Sequence, residues 1–591
     1  IWVLPATITP WLALGQRSQR AWGTVLRVYG GLALLLVAFM ELSTPAFMAQ
    51  YDSRPNYLFV EYLGYAREVG GTLIKDYWPH LLATALILPT LAWIYARLTR
   101  PVAHGVTLRV WQALGLSLVL FALLALAGRG ALGHRPANPA SAAVTTDHLV
   151  NEMPLSSLYT LAYAIRQSRK SEEGGLVYAE MPQAQVIDVV RRETGLPATA
   201  FTDPESPLRH LQTSLHPRAR PLNLVIVLEE SLGAEFVGRL GGLPLTPHLD
   251  RLANEGLWFD NLYATGTRSV RGIEAVVAGY PPTSAVSTVK LAKSQRDFFT
   301  LASFLKNKGY ESTFFYGGES HFDNMRGFFM GNGFDRVIDQ NDFGPEVFRG
   351  TWGVADGHVL DAAHRAFAQA KEPFFGFVFT SSNHTPFEFP DGEITLHEQP
   401  KGTVLNAVKY ADWAMGQFFK KARQSSYWQD TLFLVVADHD NRVYGSNLIP
   451  VEKFRIPGLI LGADTKAGTI DTLTSQIDLA PTLLSMLGVS SCHPMIGRDL
   501  TLDSTSPGRA LIQFEQYFAL KQPDGLTILK PDGTVVRGTY DEAKKALHLS
   551  DLPASRLQYE QALAQVQLPS YLYRETKYKS EHRCDTPVVA P

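Results

Sequence analysis

Cysteine is nearly absent from this chain of 591 residues, which contains only Cys492 and Cys584. Two cysteines are too few for the disulfide framework of a small secreted domain, and their spacing does not match a cysteine zinc cluster. A single bridge between them is compatible with an oxidising compartment. The cysteine content therefore excludes two structural classes and leaves one disulfide open.

The chain also lacks an excess of positive charge. Its 54 lysines and arginines are balanced by 56 acidic residues, and the isoelectric point is near 6.8. Nucleic-acid-binding domains usually carry a basic patch, so the charge gives no support to a nucleic-acid partner. The chain is also too long for one compact soluble domain, and we expect several parts.

Long apolar runs are present in the first 133 residues. Three runs, at 24–42, 78–96 and 111–128, are each long enough to cross a hydrocarbon core about 30 Å thick. Residues 1–14 are apolar but shorter, and we interpret them as the end of a further span. A cleaved signal peptide fits poorly, because no n-region, h-region and cleavage site stand together. The sequence predicts a multi-span helical membrane domain over 1–133.

Arginine placement predicts the orientation of these spans. The stretches 15–20 and 97–109 contain two and three arginines and no acid, whereas 43–77 mixes acids and bases. By the positive-inside rule, the arginine-rich stretches face the cytoplasm. Residues 43–77 and everything after residue 130 then lie outside.

Two amphipathic segments are expected near the membrane. Residues 56–66 are rich in Tyr and Phe, which is typical of an interfacial helix. Residues 147–170 have apolar positions at helical spacing, and we expect this helix along the membrane or under the globular part. We interpret 134–220 as juxtamembrane helices and linker.

From residue 222 onward, apolar strands alternate with helices. Helices are predicted over 246–256, with Thr246 as N-cap and Gly256 as stop, and over 299–309. The predicted strands are 224–228, 257–264, 310–318, 373–380, 431–437 and 454–463. Such alternation implies an α/β domain over 221–510, in which a mostly parallel sheet is sandwiched by helices.

The last part of the chain, 511–591, changes pattern again. Residues 525–541 are typical of a hairpin turned at Pro-Asp-Gly, and 554–576 predict one or two helices. We expect this part to cap the catalytic domain.

Polar side chains follow three of the predicted strands at the point where each strand ends. Glu229 and Glu230 follow the first, 381–384 (SSNH) follow another, and Asp438 and His439 follow a third. Asp is common where a strand leaves the core, which is the simplest explanation of an isolated Asp-His pair. Because ligands of parallel sheets bind at the carboxyl ends of the strands, we expect the three segments to converge.

Residues 265–275 (TGTRSVRGIEA) add three hydroxyls ahead of a predicted helix, those of Thr265, Thr267 and Ser269. A helix N-terminus offers backbone N–H groups that can hold an oxyanion. Two carboxylates, an imidazole and a hydroxyl form a hard oxygen and nitrogen site that suits Mn²⁺, Mg²⁺ or Zn²⁺. A bound metal would lower the pKa of the hydroxyl and make it nucleophilic.

Several motifs between residues 222 and 500, taken in order, resemble the lipoteichoic acid synthase family. They are LEES, TPHLDRLANEGLWFDNLYATGTRSVRGIEA, SNHTPF, ADHDNRVYG and SQIDLAPTLLSMLG. That family belongs to the alkaline phosphatase/sulfatase superfamily, and it includes Gram-negative phosphoglycerol transferases that decorate periplasmic glucans. The resemblance implies an alkaline phosphatase-like fold for this domain.

The resemblance also implies roles for individual residues. The family's metal ligands correspond to Glu230, Asp438 and His439, and its nucleophile corresponds to Ser269, where the family usually has Thr. Thr267 is the alternative nucleophile. One divalent metal is expected, Mn²⁺ before Mg²⁺ or Zn²⁺.

Further residues are candidates for binding the substrate. His384 matches the family's substrate-side histidine, which can bind a phosphate oxygen or protonate the departing oxygen. Asn324 is what remains of a Trp-Asn-Arg run that grips glycerol phosphate in the Gram-positive enzymes. Arg268 and Arg271 flank Ser269 and could hold a phosphate through paired hydrogen bonds, and pairing with Glu274 or another acid is an equal alternative for both.

The reaction implied is a two-step transfer. The hydroxyl attacks the phosphorus of phosphatidylglycerol, diacylglycerol leaves, and a glycan or glucan hydroxyl then takes the glycerophosphate. We expect a multi-pass inner-membrane protein with its catalytic domain in the periplasm. One alternative is a phosphoethanolamine transferase, although such enzymes usually have more cysteines. Another is a non-catalytic lipid sensor. A sulfatase is less favoured, because it would need a Cys/Ser-x-Pro-x-Arg motif that is absent from this sequence.

Overall fold

The computed structural model describes most of the chain. The described residues are 7, 10, 16–51, 54–55, 59, 77–99, 108–130, 139–142, 150, 152–173, 178–580 and 584, with gaps at 219, 284, 372, 444–446, 503–506, 516 and 531–532. The chain divides into two compact units. One contains Ile1–Ala143 and Asp147–Ser168, and the other contains Val144–Thr146 and Arg169–Pro591.

The first unit contains three long apolar helices. They are α1 (Gln16–Tyr51), α2 (Trp78–Leu98) and α3 (Val110–Arg129). Each contains one predicted span and is long and apolar enough to cross a membrane, and almost none of its apolar surface is covered by protein. The three predicted spans are confirmed as candidate membrane helices.

Some details near the membrane differ from the prediction. Helix α1 begins at Gln16, so Arg17 and Arg20 belong to a helix and not to a loop. The helix predicted at 147–170 is α4 (Ser157–Glu173). Apart from residues 7, 10 and 59, the predicted segments 1–14 and 56–66 lie outside the described residues.

An eight-stranded sheet forms the centre of the second unit. Its strands are β1 (Asn223–Glu229), β2 (Leu257–Phe259), β3 (Glu311–Tyr316), β4 (Arg336–Ile338), β5 (Phe374–Phe379), β6 (Thr431–Ala437), β7 (Gly458–Gly462) and β8 (Gly468–Ile470). Their order in the sheet is β8-β2-β7-β6-β1-β5-β3-β4, and β7 alone among them runs against the others. Every residue of β1, β5 and β6 is buried, so both faces of the sheet are covered. The mostly parallel α/β sheet predicted here is confirmed.

The register of the central strands aligns the polar residues that follow them. Residues of β1 pair with residues of β6 from Asn223↔Thr431 to Glu229↔Ala437. The next residues, Glu230 and Asp438, therefore leave the sheet side by side. This placement follows from two apolar runs that end at the same level.

The sequence predicts one strand over 257–264, but the structure has two. Strand β2 ends at Phe259, and Leu262–Tyr263 pairs in a separate ribbon with Thr474–Ser475. Asp260 and Asn261 lie between them, and such residues favour turns over continuous strand.

Nine helices of the second unit lie within the described residues from 183 onward. They are α5 (Gln183–Glu193), α6 (Pro247–Leu252), α7 (Ser269–Ala278), α8 (Leu301–Lys306), α9 (Met325–Gly331), α10 (Asp356–Gln369), α11 (Val404–Ala422), α12 (Leu479–Met486) and α13 (Arg556–Arg574).

Thr246 precedes α6 as predicted, but its side chain makes no capping bond. The Asp412 carboxylate of α11 accepts the first N–H groups of α6 instead, from His248 at 2.9 Å and Leu249 at 2.8 Å.

A second, antiparallel sheet follows the central one. Its strands, in order, are β9 (Ala510–Phe514), β10 (Tyr517–Gln522), β11 (Gly525–Leu529), β12 (Val535–Asp541) and β13 (Ala546–Leu549). Strands β11 and β12 are the predicted hairpin, whose Pro531 and Asp532 lie outside the described residues. Helix α13 packs on this sheet and on α5. Cys492 and Cys584 form a disulfide, which ties the end of the chain to the central domain.

Candidate active site

Glu230, Asp438 and His439 form a compact buried cluster at the carboxyl ends of β1 and β6. One ligand atom from each lies within 4.8 Å of the others. All three side chains are almost wholly inaccessible to solvent. Because buried charges need partners, two carboxylates and an imidazole at this spacing suit a divalent cation.

Hydrogen bonds orient the two carboxylates of the cluster. Ser231 N donates to Asp438 Oδ1 at 2.7 Å, and Ser231 Oγ donates to Glu230 Oε1 at 2.6 Å. Ser231 adopts a left-handed backbone (φ 54°), which non-glycine residues accept only where surrounding contacts hold them. The second oxygen of Asp438, Oδ2, is buried and has no hydrogen-bond partner among the described residues. That oxygen is available to a metal.

The His439 imidazole is oriented in the same way. Its Nδ1 lies 2.6 Å from the Asp440 carbonyl oxygen and donates to it. The proton therefore sits on Nδ1, and Nε2 keeps its lone pair, as a metal-binding histidine requires. Nε2 lies 3.4 Å from Asp438 Oδ2.

Ser269 brings a hydroxyl to the cluster from the first turn of α7. Its Oγ donates to Glu230 Oε2 at 3.2 Å and lies 3.4 Å from His439 Nε2. The helix reaches this position because Gly272 faces the strand end; a Cβ there would lie 2.6 Å from Asp438 Cα. The four residues predicted from the sequence are thus brought together by three separate segments.

Burial shifts the proton affinities of these groups. It raises the pKa of Glu230 to about 7, with the neighbouring Asp438 as the second cause. It also raises the pKa of Asp438 to about 7 and lowers the pKa of His439. Ionised together, the two carboxylates would repel one another, and a bound cation would offset that repulsion.

The other hydroxyls of this segment lie elsewhere. Thr265 is buried and its Oγ1 lies 3.4 Å from Gln476 Oε1. Thr267 is half-buried and does not line the cavity beside Ser269. Of the three hydroxyls, only that of Ser269 contacts the cluster.

A cavity of about 580 Å³ opens beside Ser269. Among its lining residues are the cations Arg268, Lys290 and Arg442 and the rings of Tyr316, Phe322, Trp352, Phe379 and His384. His384 packs against Trp352 with ring centroids 3.6 Å apart and ring planes tilted by 38°, and its Nδ1 lies 3.0 Å from the Thr385 carbonyl oxygen. Cations and an imidazole around a hydroxyl favour an anionic substrate such as a phosphate ester.

Arg271 does not line the cavity. Its guanidinium is buried, pairs with Glu274 at 2.5 Å, and donates to the carbonyl oxygens of Thr283 and Ala285. The expectation that it holds phosphate is corrected: Arg271 and Glu274 are three positions apart on a helix, which places the two on one face.

Asn324 is likewise placed away from the cavity. It is buried, and its Nδ2 donates to the Lys290 carbonyl oxygen at 2.9 Å. The side chain fastens this turn to the segment that carries Lys290, and it is not among the residues that line the cavity. Its neighbours Asp323 and Met325 line the cavity in its place.

Glu229, next to the cluster, points into the interior. Thr380 Oγ1 donates to its Oε2 at 3.3 Å. Burial, with Asp356 nearby, raises the pKa of Glu229 well above its usual value. We expect a protonated structural carboxyl there.

Three cavity residues escape sequence reasoning: Lys290, Trp352 and Arg442. Lys290 and Trp352 lie in segments without a regular apolar period that no motif marks. Arg442 lies in the motif ADHDNRVYG, of which only Asp438 and His439 were given roles. Only the tertiary fold brings these segments to the ends of β1 and β6. Within the described part of the chain, no second group of His, Cys, Asp and Glu has the spacing of a metal site.

Comparisons with known proteins agree with this geometry. The family described as Sulfatase matches residues 222–489. The crystal structure of an alkaline phosphatase superfamily protein from Vibrio parahaemolyticus is 44% identical, with a TM-score of 0.66, and the match covers 68% of this chain and 99% of that one.

Two curated relatives are more distant. A lipoteichoic acid synthase-like protein of Bacillus subtilis is 24% identical over 55% of this chain and 58% of its own length. Phosphoglycerol transferase I of Xanthomonas campestris is 27% identical over 51% of this chain and 45% of its own. The chain spans about half the length of the curated relatives it matches.

Proposed function

Because this chain belongs to the alkaline phosphatase superfamily and carries its sulfatase domain, we propose that it is a membrane-bound phosphotransferase. It moves a glycerophosphate group from phosphatidylglycerol to a glycan acceptor and releases diacylglycerol. The names of the relatives, lipoteichoic acid synthase-like and phosphoglycerol transferase, support this choice of group.

The observation that carries the proposal is the position of Ser269. Its hydroxyl contacts Glu230 and His439 and lines the cavity whose wall contains Arg268 and Lys290. A nucleophile, a cluster for a cation and positive charge for a phosphate thus meet in one place.

A divalent metal fits the cluster, because Asp438 Oδ2 is buried without a hydrogen-bond partner among the described residues and the donors are hard oxygens and a nitrogen. Glu230, Asp438, His439 and the Ser269 hydroxyl would hold it, and we propose Mn²⁺, with Mg²⁺ or Zn²⁺ as alternatives. When bound, it would supply a Lewis acid that lowers the pKa of the hydroxyl and neutralises phosphate charge.

The chain's own residues perform the transfer. Ser269 Oγ attacks the phosphorus, and the bond from phosphorus to the diacylglycerol oxygen breaks as the new bond forms. His384, which lines the same cavity, is placed to protonate the leaving oxygen, and Arg268 to hold a phosphate oxygen. As Ser269 attacks, its proton passes to Glu230 Oε2, to which its hydroxyl donates a hydrogen bond. An acceptor hydroxyl then attacks the same phosphorus and gives its proton to His384, and Ser269 is released as it takes its proton back from Glu230.

The apolar helices would keep the catalytic domain close to its lipid donor. A lipid with two acyl chains resists leaving the bilayer, so a site that uses it needs a membrane anchor. We propose that the chain lies in a bacterial inner membrane, with the catalytic domain in the periplasm as the arginine distribution indicates.

The proposal is tested by diacylglycerol release from liposomes that contain fluorescent phosphatidylglycerol or phosphatidylethanolamine. With Mn²⁺, the whole chain should release diacylglycerol from phosphatidylglycerol, and EDTA should stop it. Ser269→Ala should abolish release, whereas the neighbouring Thr267→Ala should keep it.

Other results have definite meanings. Release from phosphatidylethanolamine alone would assign the chain to the phosphoethanolamine transferases. Absence of release from both lipids, with metal and acceptor glucan supplied, would contradict the transferase and favour the lipid sensor. Loss of release in Thr267→Ala alone would move the nucleophile to Thr267.

A further inference from the structure

His384 and Trp352 share one backbone carbonyl. The Thr385 carbonyl oxygen lies 3.0 Å from His384 Nδ1 and accepts a hydrogen bond from Trp352 Nε1 at 2.7 Å. A carbonyl oxygen has two lone pairs and can accept both bonds. The indole ring also packs against the imidazole, with ring centroids 3.6 Å apart. Trp352 therefore contacts both the imidazole and the group that orients it.

A two-stranded hairpin, 349–354, carries Trp352 in its turn. The hairpin is fastened to the chain just after β3, because Val354 N donates to the Gly317 carbonyl oxygen at 2.8 Å. Gly353 has a left-handed backbone (φ 111°), and a Cβ there would lie 2.0 Å from that same oxygen. The hairpin can approach the central sheet this closely only because residue 353 is glycine.

A second contact joins the segments that carry the two rings. Helix α10 follows the hairpin, and its first residue, Asp356, is fully buried. The Asp356 carboxylate accepts hydrogen bonds from Ser381 N at 2.8 Å and Ser382 N at 3.1 Å, in the segment that leads to His384. The segments around Trp352 and His384 are thus joined at two points, which limits their relative movement.

The imidazole needs such a constraint. His384 is only half-buried, so the protein interior does not enclose its ring. A general acid must lie within about 3 Å of the oxygen that it protonates. A misplacement of about 1 Å can cost about 100-fold in rate.

We propose that Trp352 is a positioning residue for His384. The indole ring limits rotation of the imidazole, and the indole N–H holds the Thr385 carbonyl oxygen where it accepts the bond from Nδ1. Nε2 then keeps one direction in the cavity that both residues line. This inference rests on the proposed function, in which the proton moves from Nε2 to the diacylglycerol oxygen as its bond to phosphorus breaks. It adds the residue that orients the acid.

The test measures kcat and KM of the whole chain with Mn²⁺ for two substrates. One is phosphatidylglycerol in phosphatidylcholine liposomes, and the other is the p-nitrophenyl phosphodiester of glycerol, whose leaving group departs without a proton. Trp352→Leu removes the ring and the N–H. It should lower kcat for phosphatidylglycerol by about 10–100-fold with little change in KM. The rate with the p-nitrophenyl ester should stay close to that of the wild type.

A double-mutant cycle separates positioning from general damage. In a His384→Ala background the imidazole is gone, so Trp352→Leu should have almost no further effect on kcat for phosphatidylglycerol. Trp352→Phe keeps a ring against the imidazole and loses the N–H donor. Its kcat should lie between those of the wild type and Trp352→Leu.

Trp428→Leu is the matched control. Trp428 is half-buried like Trp352, packs against Phe433 with ring centroids 5.1 Å apart, and does not line this cavity. The variant loses a comparable ring, and the ratio of its two rates should equal that of the wild type. Thermal unfolding temperatures check that each variant is folded. Where Trp352→Leu does not fold, Trp352→Phe decides by the same comparison.

The remaining outcomes contradict one proposal or both. Equal losses with the two substrates in Trp352→Leu, or a full further loss in the His384→Ala background, mean that Trp352 does not act through His384. Either result overturns this inference and leaves the proposed function intact, as do wild-type rates in Trp352→Leu. A wild type that releases nothing from phosphatidylglycerol overturns the proposed function and this inference together.

Discussion

Outside the cluster of Glu230, Asp438 and His439, His384 is the residue whose contacts limit its chemical role most clearly. It lines the cavity, packs against Trp352 and contacts the Thr385 carbonyl oxygen through Nδ1. In the imidazolium form, Nδ1–H donates to that carbonyl and Nε2–H remains for the substrate. The general-acid role proposed for His384 requires this arrangement.

The role predicts a dependence on the leaving group. With phosphatidylglycerol, His384→Ala should lower kcat by about 10²–10⁴-fold, because a diacylglycerol alkoxide needs a proton as it departs. With a p-nitrophenyl phosphodiester of glycerol, whose leaving group is stable as an anion, the same variant should lose little. An equal loss with both substrates would show that His384 binds phosphate and does not protonate the leaving oxygen.

Some residues of the candidate site could be predicted from the sequence and others could not. Glu230, Asp438 and His439 were predictable because each lies at the end of an apolar run, and parallel strands bring such positions together. The two alternatives for Arg271 could not be separated from sequence, because proximity to Ser269 along the chain does not determine which way a helical side chain points. Lys290 was missed because its place depends on the buried contacts of Glu274.

At the scale of elements, the start of α6 depends on a buried acid from α11. Asp412 accepts the N–H groups of His248 and Leu249, and burial raises its pKa from 3.8 to about 7. Between these values the folded state keeps a proton that the unfolded state has lost. The contribution of Asp412 to stability is therefore present below about pH 4 and is lost as the pH rises towards 7.

Asp412→Asn should remove this pH dependence, because an amide does not titrate. As the pH rises from about 4 to about 7, the unfolding temperature of the wild type should fall relative to that of the variant. Thermal unfolding followed by circular dichroism at several pH values measures the difference. Asp430→Asn removes an exposed carboxyl and serves as the control; parallel curves for wild type and Asp412→Asn would contradict the shifted pKa.

Elements differed in how far sequence could predict them. The long buried strands β1, β5 and β6 were predicted, since an unbroken apolar run of five or six residues is typical of a strand buried on both faces. The reversed direction of β7 was not predicted, because direction depends on the connection and leaves no trace in the strand's own residues. The cap of α6 was assigned to Thr246, yet the carboxylate that performs it lies 163 residues away from Leu249 along the chain.

At the scale of the whole molecule, three apolar helices precede a domain whose site is assembled from the ends of its central strands. The bulk sequence predicted both parts, because hydrophobic length and strand alternation are strong signals. The residues that line the cavity could not be predicted from the sequence, since Lys290, Trp352 and Arg442 come from irregular segments. In the proposed reaction, Ser269 becomes covalently attached to the glycerophosphate group of a membrane lipid.

Mass spectrometry of the peptide that contains Ser269 would detect this covalent intermediate. The whole chain would be incubated with phosphatidylglycerol and Mn²⁺ without acceptor, then acid-quenched and digested. We predict a gain of one glycerophosphoryl group on Ser269, absent from Ser269→Ala and discharged when acceptor glucan is added. Diacylglycerol release with no such adduct, or with the adduct on Thr267, would contradict the account.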